Sequence, residues 1–505
     1  LAAGGVIFLP PVSFKAFKHV AMSKLFTLLL ILLQQFVFAQ GGISWSAPAD
    51  IAAASFGNLH PRIAVDGAGN PLVIWGNNAN NKVYFSRWSN GAFTTPLPLN
   101  PASIPVFTAS WASPDLAASG DTVYVVYKHT PEDVNHIYLV HSYDGGQNFS
   151  APVRVDYVAD SVSRFPAVAT DANGNPLVAF MKFDPGFSNA RYVVVRSADH
   201  GITFSPDVLA SRYSGGHVCD CCPATLATSG NKVALLYRDN LDNLRNSWAG
   251  ISQDNGQTFP SGIQVDKTNW IINACPSSGP DGVVVGDSLY SVFMSGAGGK
   301  TRCYFSKSSL NDQQAAASIP LTTNFPGLVQ QNFPRIASAG NAVAIAWKQV
   351  ISGSSEIALY FNPAITTGLP ASYEIPAAGE IANVDLILHN GSIFLVWEDE
   401  QSGTVKFRQG TYSISRLKEP LPQTILPVYP NPNPGAALTV ELGKGNTGPV
   451  FYAIHNSQGK VVLENSAQLE DGLLQIDAVS RFPAGIYYLS VQAEDATYSA
   501  KFIQY

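Results

Sequence analysis

Ser142-Tyr143-Asp144-Gly145-Gly146-Gln147-Asn148-Phe149 is echoed by Ser197-Ala198-Asp199-His200-Gly201-Ile202-Thr203-Phe204 and by Ser252-Gln253-Asp254-Asn255-Gly256-Gln257-Thr258-Phe259. The serines at 142, 197 and 252 fall 55 residues apart. Decayed copies stand about one period further out on each side, at Ser86, which leads to Gly91-Ala92-Phe93, and at Ser306. A fixed period of this length marks one supersecondary unit repeated along the chain. The box reads as a turn: its Asp can tie backbone amides, its Gly permits positive φ, and its aromatic residue packs between sheets. Asp144, Asp199 and Asp254 are therefore expected to hold the fold rather than to do chemistry.

Other landmarks keep phase with the boxes. Each is preceded by a strand, such as His136-Ile137-Tyr138-Leu139-Val140-His141, and earlier by an apolar run ending in a large residue, such as Pro71-Leu72-Val73-Ile74-Trp75 or Val233-Ala234-Leu235-Leu236-Tyr237. Each unit opens with an x-Pro step: His60-Pro61, Ser113-Pro114, Phe165-Pro166, Cys222-Pro223, Cys275-Pro276 and Phe333-Pro334, with Asn383-Val384 opening a further unit without proline. One unit thus reads strand, turn, strand, loop, strand, boxed turn, strand. Four-stranded antiparallel units repeated radially make a β-propeller. The expected class is all-β, a propeller of four-stranded antiparallel blades (seven, alternatively six) followed by a small C-terminal β-sandwich. Ile43-Ser44-Trp45 resembles a fourth strand and can close the ring from the other end, which removes exposed edges.

Composition agrees. Of 505 residues only 13% are charged, 11% are aromatic, and Gly and Pro number 42 and 34. Turns and strands are favoured over helices. The net charge of −6 is spread without any basic run; a nucleic-acid partner, which needs clustered basic surface, is not expected. Met22-Ser23-Lys24, the apolar run 25–33 and Val37-Phe38-Ala39 have the order of a signal peptide over 22–39, with 1–21 an upstream leader from a mis-chosen start. No second membrane-spanning candidate follows, so no transmembrane segment is expected after signal removal.

The boxes resemble the Asp-box, or BNR, repeat of sialidase-like propellers. That resemblance implies that the boxed turns lie on the face away from the active site, and that an exo-glycosidase of this kind would use three arginines, an acid Asp and a Tyr–Glu pair. Here His60-Pro61-Arg62-Ile63 and Phe333-Pro334-Arg335-Ile336 are equally similar to the family's first arginine motif, and the Tyr–Glu pair is not recognisable. The propeller is expected over 40–416 and a linker over 417–427. From 428 to 505 the chain resembles the C-terminal sorting domain of the type IX secretion system: Val428-Tyr429-Pro430-Asn431-Pro432, then Ser457-Gln458-Gly459-Lys460-Val461-Val462, then Pro483-Ala484-Gly485-Ile486-Tyr487-Tyr488, closing on Lys501-Phe502-Ile503. This resemblance implies the secretion machinery as a partner and a secreted or surface-attached product.

If the boxed turns face one way, the loops between second and third strands and the connections between blades face the other. Ligands are expected on that upper face. Catalytic candidates there are Arg62, Arg238, Arg245, Arg302 and Asp239; ligand-binding candidates are His217, Tyr237, Arg238, Asn243, Trp270 and Asn273. The even repeat breaks at Cys219, Cys221, Cys222 and Cys275, around blades 4 and 5. Two readings of the cysteines stay open: a disulfide, Cys222–Cys275 or a neighbouring pair, or soft ligands for copper or zinc together with His217. The function expected is hydrolysis or binding of glycans at the cell surface. The alternatives are a non-catalytic binding or adhesion propeller with a stapled rim and a surface-protein partner, and a Cys/His metal-site protein.

Overall fold

The structure, a computed structural model, describes residues 42–505 apart from 54, 158–161, 316, 323–325, 371, 413–423, 444–446, 458–459, 470 and 493–496. The expected leader and signal peptide, and residues 417–423 of the expected linker, lie outside the described residues. The chain divides into two compact units between Ile414 and Ser415.

The first unit contains seven antiparallel sheets among the described residues. Blade 1 is built from Asn58–Val65, Pro71–Asn77, Lys82–Ser89 and Ala92–Phe93; blade 4 from Thr225–Ser229, Lys232–Asn240, Ser247–Ser252 and Ser261–Gln264. The innermost strand of each blade lies against that of the next, and the one of blade 7, Ile381–His389, lies against that of blade 1. The ring closes as the sequence implies: Ser44–Trp45 pairs with Thr404–Thr411, the third strand of blade 7. Closure leaves no blade to end the array with an unpaired edge. Second strands are apolar on both sides because each is sandwiched between two neighbouring blades: Leu72, Val73, Ile74 and Trp75, like Val233, Ala234, Leu235, Leu236 and Tyr237, are buried.

The boxes close small hydrogen-bonded loops between third and fourth strands. Ser142 Oγ donates to Asp144 Oδ1 at 2.7 Å, and that oxygen also accepts the Gln147 and Asn148 amides at 2.9 Å. Asp199 does the same with Ser197 and Thr203, and Asp254 with Ser252 and Thr258. A Cβ on Gly146, at φ 79, would stand 2.2 Å from the Phe85 ring, so glycine is required there twice over.

The second unit is a sandwich of a five-stranded sheet and a three-stranded sheet. Its own core contains Leu438, Val440, Val450, Ile454, Leu489 and Phe502. No helix among the described residues is long and apolar enough to cross a membrane.

Candidate functional site

One register position of the innermost strands governs the propeller's centre. Pairing with the second strands puts Arg62, Asp115, Ala167, Thr225, Asp281, Arg335 and Asp385 at the same level in blades 1 to 7. Arg62, Asp115 and Arg335 line a narrow recess of about 70 Å³, and Asp281 and Asp385 pair with Arg335 beside it. Arg62 Nε lies 3.4 Å from Asp115, while Arg335 Nε lies 3.3 Å from Asp281 and 2.9 Å from Asp385. Each carboxylate also accepts a backbone amide of the following blade: Asp115 from Val168, Asp281 from Ile336 and Asp385 from Ile63. The ring of charge is therefore a set of pins between blades. Burial would lower the Arg335 pKa, but the Asp281 and Asp385 carboxylates more than reverse that and raise it. For Arg62 burial prevails, reinforced by the Arg335 cation, and its pKa falls.

Just above this level, blades 1, 3, 6 and 7 each carry a one-residue bulge, between Leu59 and Arg62, Arg164 and Ala167, Asn332 and Arg335, and Ala382 and Asp385. The bulged residues His60, Phe165, Phe333 and Asn383 have φ of 58°, 51°, 50° and 42°. Left-handed backbone is costly for bulky residues, and bulges re-aim side chains beside sites of function. All four line the recess, together with Trp111, Ser113, Ser277 and Ser278. Trp111 is 37% exposed at the mouth.

Glu398 holds two of these residues from behind. Its carboxylate accepts Asn383 Nδ2 at 2.6 Å and the backbone N–H of His60. Burial raises its pKa to about 7. Glu398 also borders a second, more open cavity of about 440 Å³ with Asn58, Asn78, Glu400 and Gly403. His60 is buried, its imidazole pKa is lowered by burial and by the Arg62 and Arg335 cations, and its Nδ1 has no hydrogen-bond partner. The mouth of the recess therefore offers aromatic surface, hydroxyls and a neutral imidazole over an ionic floor whose two cations are both paired.

The sector around blades 4 and 5 looks different from its sequence. Arg238 is fully buried and donates to the carbonyls of Ser278, Arg245 and Met294, with its guanidinium over the Trp270 ring. Arg302 likewise donates to the carbonyls of Thr301, Val329 and Leu328. Both are backbone cross-links where catalytic or ligand groups were expected. Tyr237 and Trp270 are buried too, the former donating to the Ser211 carbonyl, so neither presents a ligand face. Asp239 accepts the Asn246 amide, and burial raises its pKa to about 6. His217 and Asn273 are exposed, and Asn243 occupies a turn with φ of 71°.

The disulfide is Cys221–Cys275, the neighbouring pair rather than Cys222–Cys275 itself. The physical reason is register: Gly279-Pro280, and not Cys275-Pro276, stands beside the strand Asp281–Val285 in blade 5, so Cys275 lies in the preceding connection beside Cys221. Cys219 and Cys222 are buried free thiols with sulfurs 2.7 Å apart, and Cys219 Sγ lies 3.5 Å from Cys221 Sγ. Arg245 donates to Cys219 Sγ at 3.3 Å. The copper or zinc expectation fits poorly: the disulfide consumes two of four sulfurs, and a guanidinium occupies the side of Cys219 a cation would approach. Of the predicted site residues, the structure brings Arg62 to the central recess and gathers Arg238, Arg245, Trp270 and the cysteines around blades 4 and 5. His60, Trp111, Phe165, Phe333, Asn383 and Glu398 were missed. The one signal for four of them was the changing residue at the start of each unit, before proline or, in Asn383, before Val384.

A comparison with curated proteins gives no match. Among solved structures, a protein of unknown function from Dyadobacter fermentans is similar over 74% of this chain and 100% of its own, at 11% identity and a TM-score of 0.44. A GH93 α-L-arabinofuranosidase of Fusarium graminearum with arabinobiose is similar over 73% and 98%, at 12% identity and a TM-score of 0.44. An ulvan lyase of family PL25 is similar over 73% and 94%, at 9% identity and a TM-score of 0.45. Likenesses of this size bear on neither activity nor substrate. Residues 427–504 match the secretion system C-terminal sorting domain, so the chain carries a type IX sorting domain and is exported, to be held at the cell surface or released.

Proposed function

We propose that the chain is an exported glycan-binding propeller of the sialidase-like, Asp-box type, which receives the neutral end of a sugar chain at the mouth of its central recess. The observation that carries this reading is the pairing of both recess arginines. Arg62 faces Asp115 and Arg335 faces Asp281 and Asp385, so neither guanidinium is left over for the carboxylate of an acidic sugar. Above them the lining suits neutral sugars. Trp111 and Phe333 offer ring surface for the apolar face of a pyranose, and Ser113, Ser277 and His60 offer polar groups for its hydroxyls. A recess of about 70 Å³ is too small to enclose a whole oligosaccharide, so the chain end enters and the remainder lies across the upper face. Hydrolysis finds less support. Glycosidases hold two carboxyl groups on either side of one bond; here the carboxyls that burial lifts to about 6 and about 7, Asp239 and Glu398, stand in blades 4 and 7, and the raised Asp115 in the recess is paired with Arg62.

Titration of the full exported chain with neutral and sialylated oligosaccharides tests the reading. Neutral glycans are expected to bind, and Trp111→Ala to weaken them about tenfold, the order of one lost stacking contact, with melting unchanged. Turnover of a sialoside, or affinity indifferent to Trp111→Ala, overturns it.

A further inference from the structure

Four sulfurs converge where the connections into blades 4 and 5 meet, and they differ in accessibility. Cys219 and Cys222 are buried, Cys221 is half-buried and Cys275 is exposed. The turn Cys219-Asp220-Cys221-Cys222 is closed by the Cys222 amide on the Cys219 carbonyl at 3.1 Å, and so folds both buried sulfurs back towards Cys221. The Cys219 and Cys222 sulfurs, 2.7 Å apart, are closer than two unbonded sulfurs ordinarily rest. Cys219 Sγ is also 3.5 Å from Cys221 Sγ, one end of the Cys221–Cys275 disulfide.

The electrostatics single out one nucleophile. Cys219 Sγ lies against the Cys222 sulfur, and Arg238 and Arg245 stand close by, Arg245 donating to its sulfur. These contacts hold the Cys219 thiol well below its ordinary range in spite of burial, whereas burial drives Cys222 well above it. The thiolate is the attacking species in disulfide exchange, and a positive setting promotes it. A purely structural cysteine pair in an exported chain needs no guanidinium on one sulfur and no second disulfide within contact.

We propose that these four cysteines form a thiol–disulfide exchange site whose outlet is Cys275 and whose substrate is an accessible disulfide on another molecule. In the first step the Cys219 thiolate attacks Cys221 Sγ. The Cys219–Cys221 bond forms, the Cys221–Cys275 bond breaks, and Cys275 leaves as a thiolate at the surface. Cys222 then loses its proton to water and attacks Cys219; the Cys219–Cys222 bond forms and Cys221 leaves. One disulfide has been consumed and one made, so no electrons have entered or left. The reducing equivalents of the buried pair now sit on Cys221 and Cys275. The Cys275 thiolate attacks an external disulfide, forming a mixed disulfide and releasing one thiolate. Cys221 displaces the other and restores Cys221–Cys275. In sum the external disulfide is reduced to two thiols, and the Cys219–Cys222 dithiol is oxidised to a disulfide.

The full chain, with its Cys221–Cys275 disulfide intact, is mixed with oxidised glutathione, quenched in acid, alkylated and mapped by mass spectrometry. The expected result is glutathione on Cys275 followed by a Cys219–Cys222 linkage. Cys219→Ser is expected to slow the Cys275 adduct at least tenfold. Cys222→Ser is expected to trap the Cys219–Cys221 linkage, a readout that does not depend on how well the Cys219 variant folds. An adduct forming on Cys275 equally fast in Cys219→Ser, a Cys222→Ser protein with no Cys219–Cys221 linkage, or stoichiometric zinc or copper on the purified chain overturns the proposal.

Discussion

Arg335 Nε lies 2.9 Å from Asp385 Oδ1, and this contact joins blade 6 to blade 7 across the floor of the central recess. Removing one partner of a buried pair leaves the other charge uncompensated, which costs several kcal/mol. Arg335→Met abandons two carboxylates, Asp281 and Asp385, and is expected to destabilise the propeller by about 3 kcal/mol, read as a lower urea midpoint. Arg62→Met is expected to cost less than half as much. Its contact with Asp115 is longer, 3.4 Å, and its cation is already disfavoured by burial and by Arg335. Equal losses in the two variants would contradict the ranking of these pins.

The boxed aspartates set the acid limb of stability. Hydrogen bonds from Thr203 and Ser197 hold the Asp199 carboxyl at about 2, below its usual 3.8. A carboxyl depressed by folding contributes stability above its unfolded value, and that contribution is lost as pH falls through the folded value. Asp199→Asn is therefore expected to melt below the wild type at pH 7 and to converge with it between pH 4 and pH 2. Melting curves across that range check the convergence; a constant offset would refute it.

Glu398 acts with the opposite sign. Burial raises it to about 7, from a usual 4.5. A raised carboxyl favours the folded state below its unfolded value, and the advantage fades as pH rises towards the folded value. Glu398→Gln does not titrate, so its stability relative to the wild type is expected to improve by about 3 kcal/mol between pH 4.5 and pH 7. Denaturant midpoints at pH 4.5, 6 and 8 measure the change. A gap independent of pH would place the Glu398 carboxyl at its ordinary value.

Arg238 sorts structural from ligand roles. Its guanidinium satisfies three buried carbonyls, so Arg238→Met is expected to cost about 3 kcal/mol or more while leaving glycan affinity of the folded fraction unchanged. Loss of affinity at constant stability would return it to the binding site.

Truncation after Tyr412 removes the sorting domain, which has a core of its own. The shortened chain is expected to accumulate inside the outer membrane with the propeller's melting transition intact. Cell fractionation of the two chains checks this; normal export of the truncated one would contradict it.

Much of the architecture was legible because each unit repeats the same local physics. Box, apolar second strand and x-Pro step recur in phase, so the pleat alternation and the turn chemistry of one blade could be read in all of them. The central site was less legible. His60, Phe165, Phe333 and Asn383 are unlike one another in chemistry, and what they share is a bulge with left-handed backbone, which no period in the sequence announces. Glu398 sits at a strand position that holds Gly76 in blade 1 and Arg238 in blade 4, so its role could not be inferred from the repeat. The cysteines misled for a related reason. Cys275-Pro276 imitates the opening step of a blade, but strand pairing begins at Asp281, and the true step is Gly279-Pro280.

By itself the sequence determined the all-β repeat, the box turns and the sorting tail, because these depend on residues near one another in the chain. Only the tertiary structure decided which arginines are paired, which sulfurs bond and where a recess opens. Arg62 and Asp115, Arg335 and Asp385, and Cys221 and Cys275 are each some fifty residues apart, and meet because neighbouring blades bring equivalent positions side by side. Burial at that meeting, not residue type, then sets which charges are cancelled and which groups remain available.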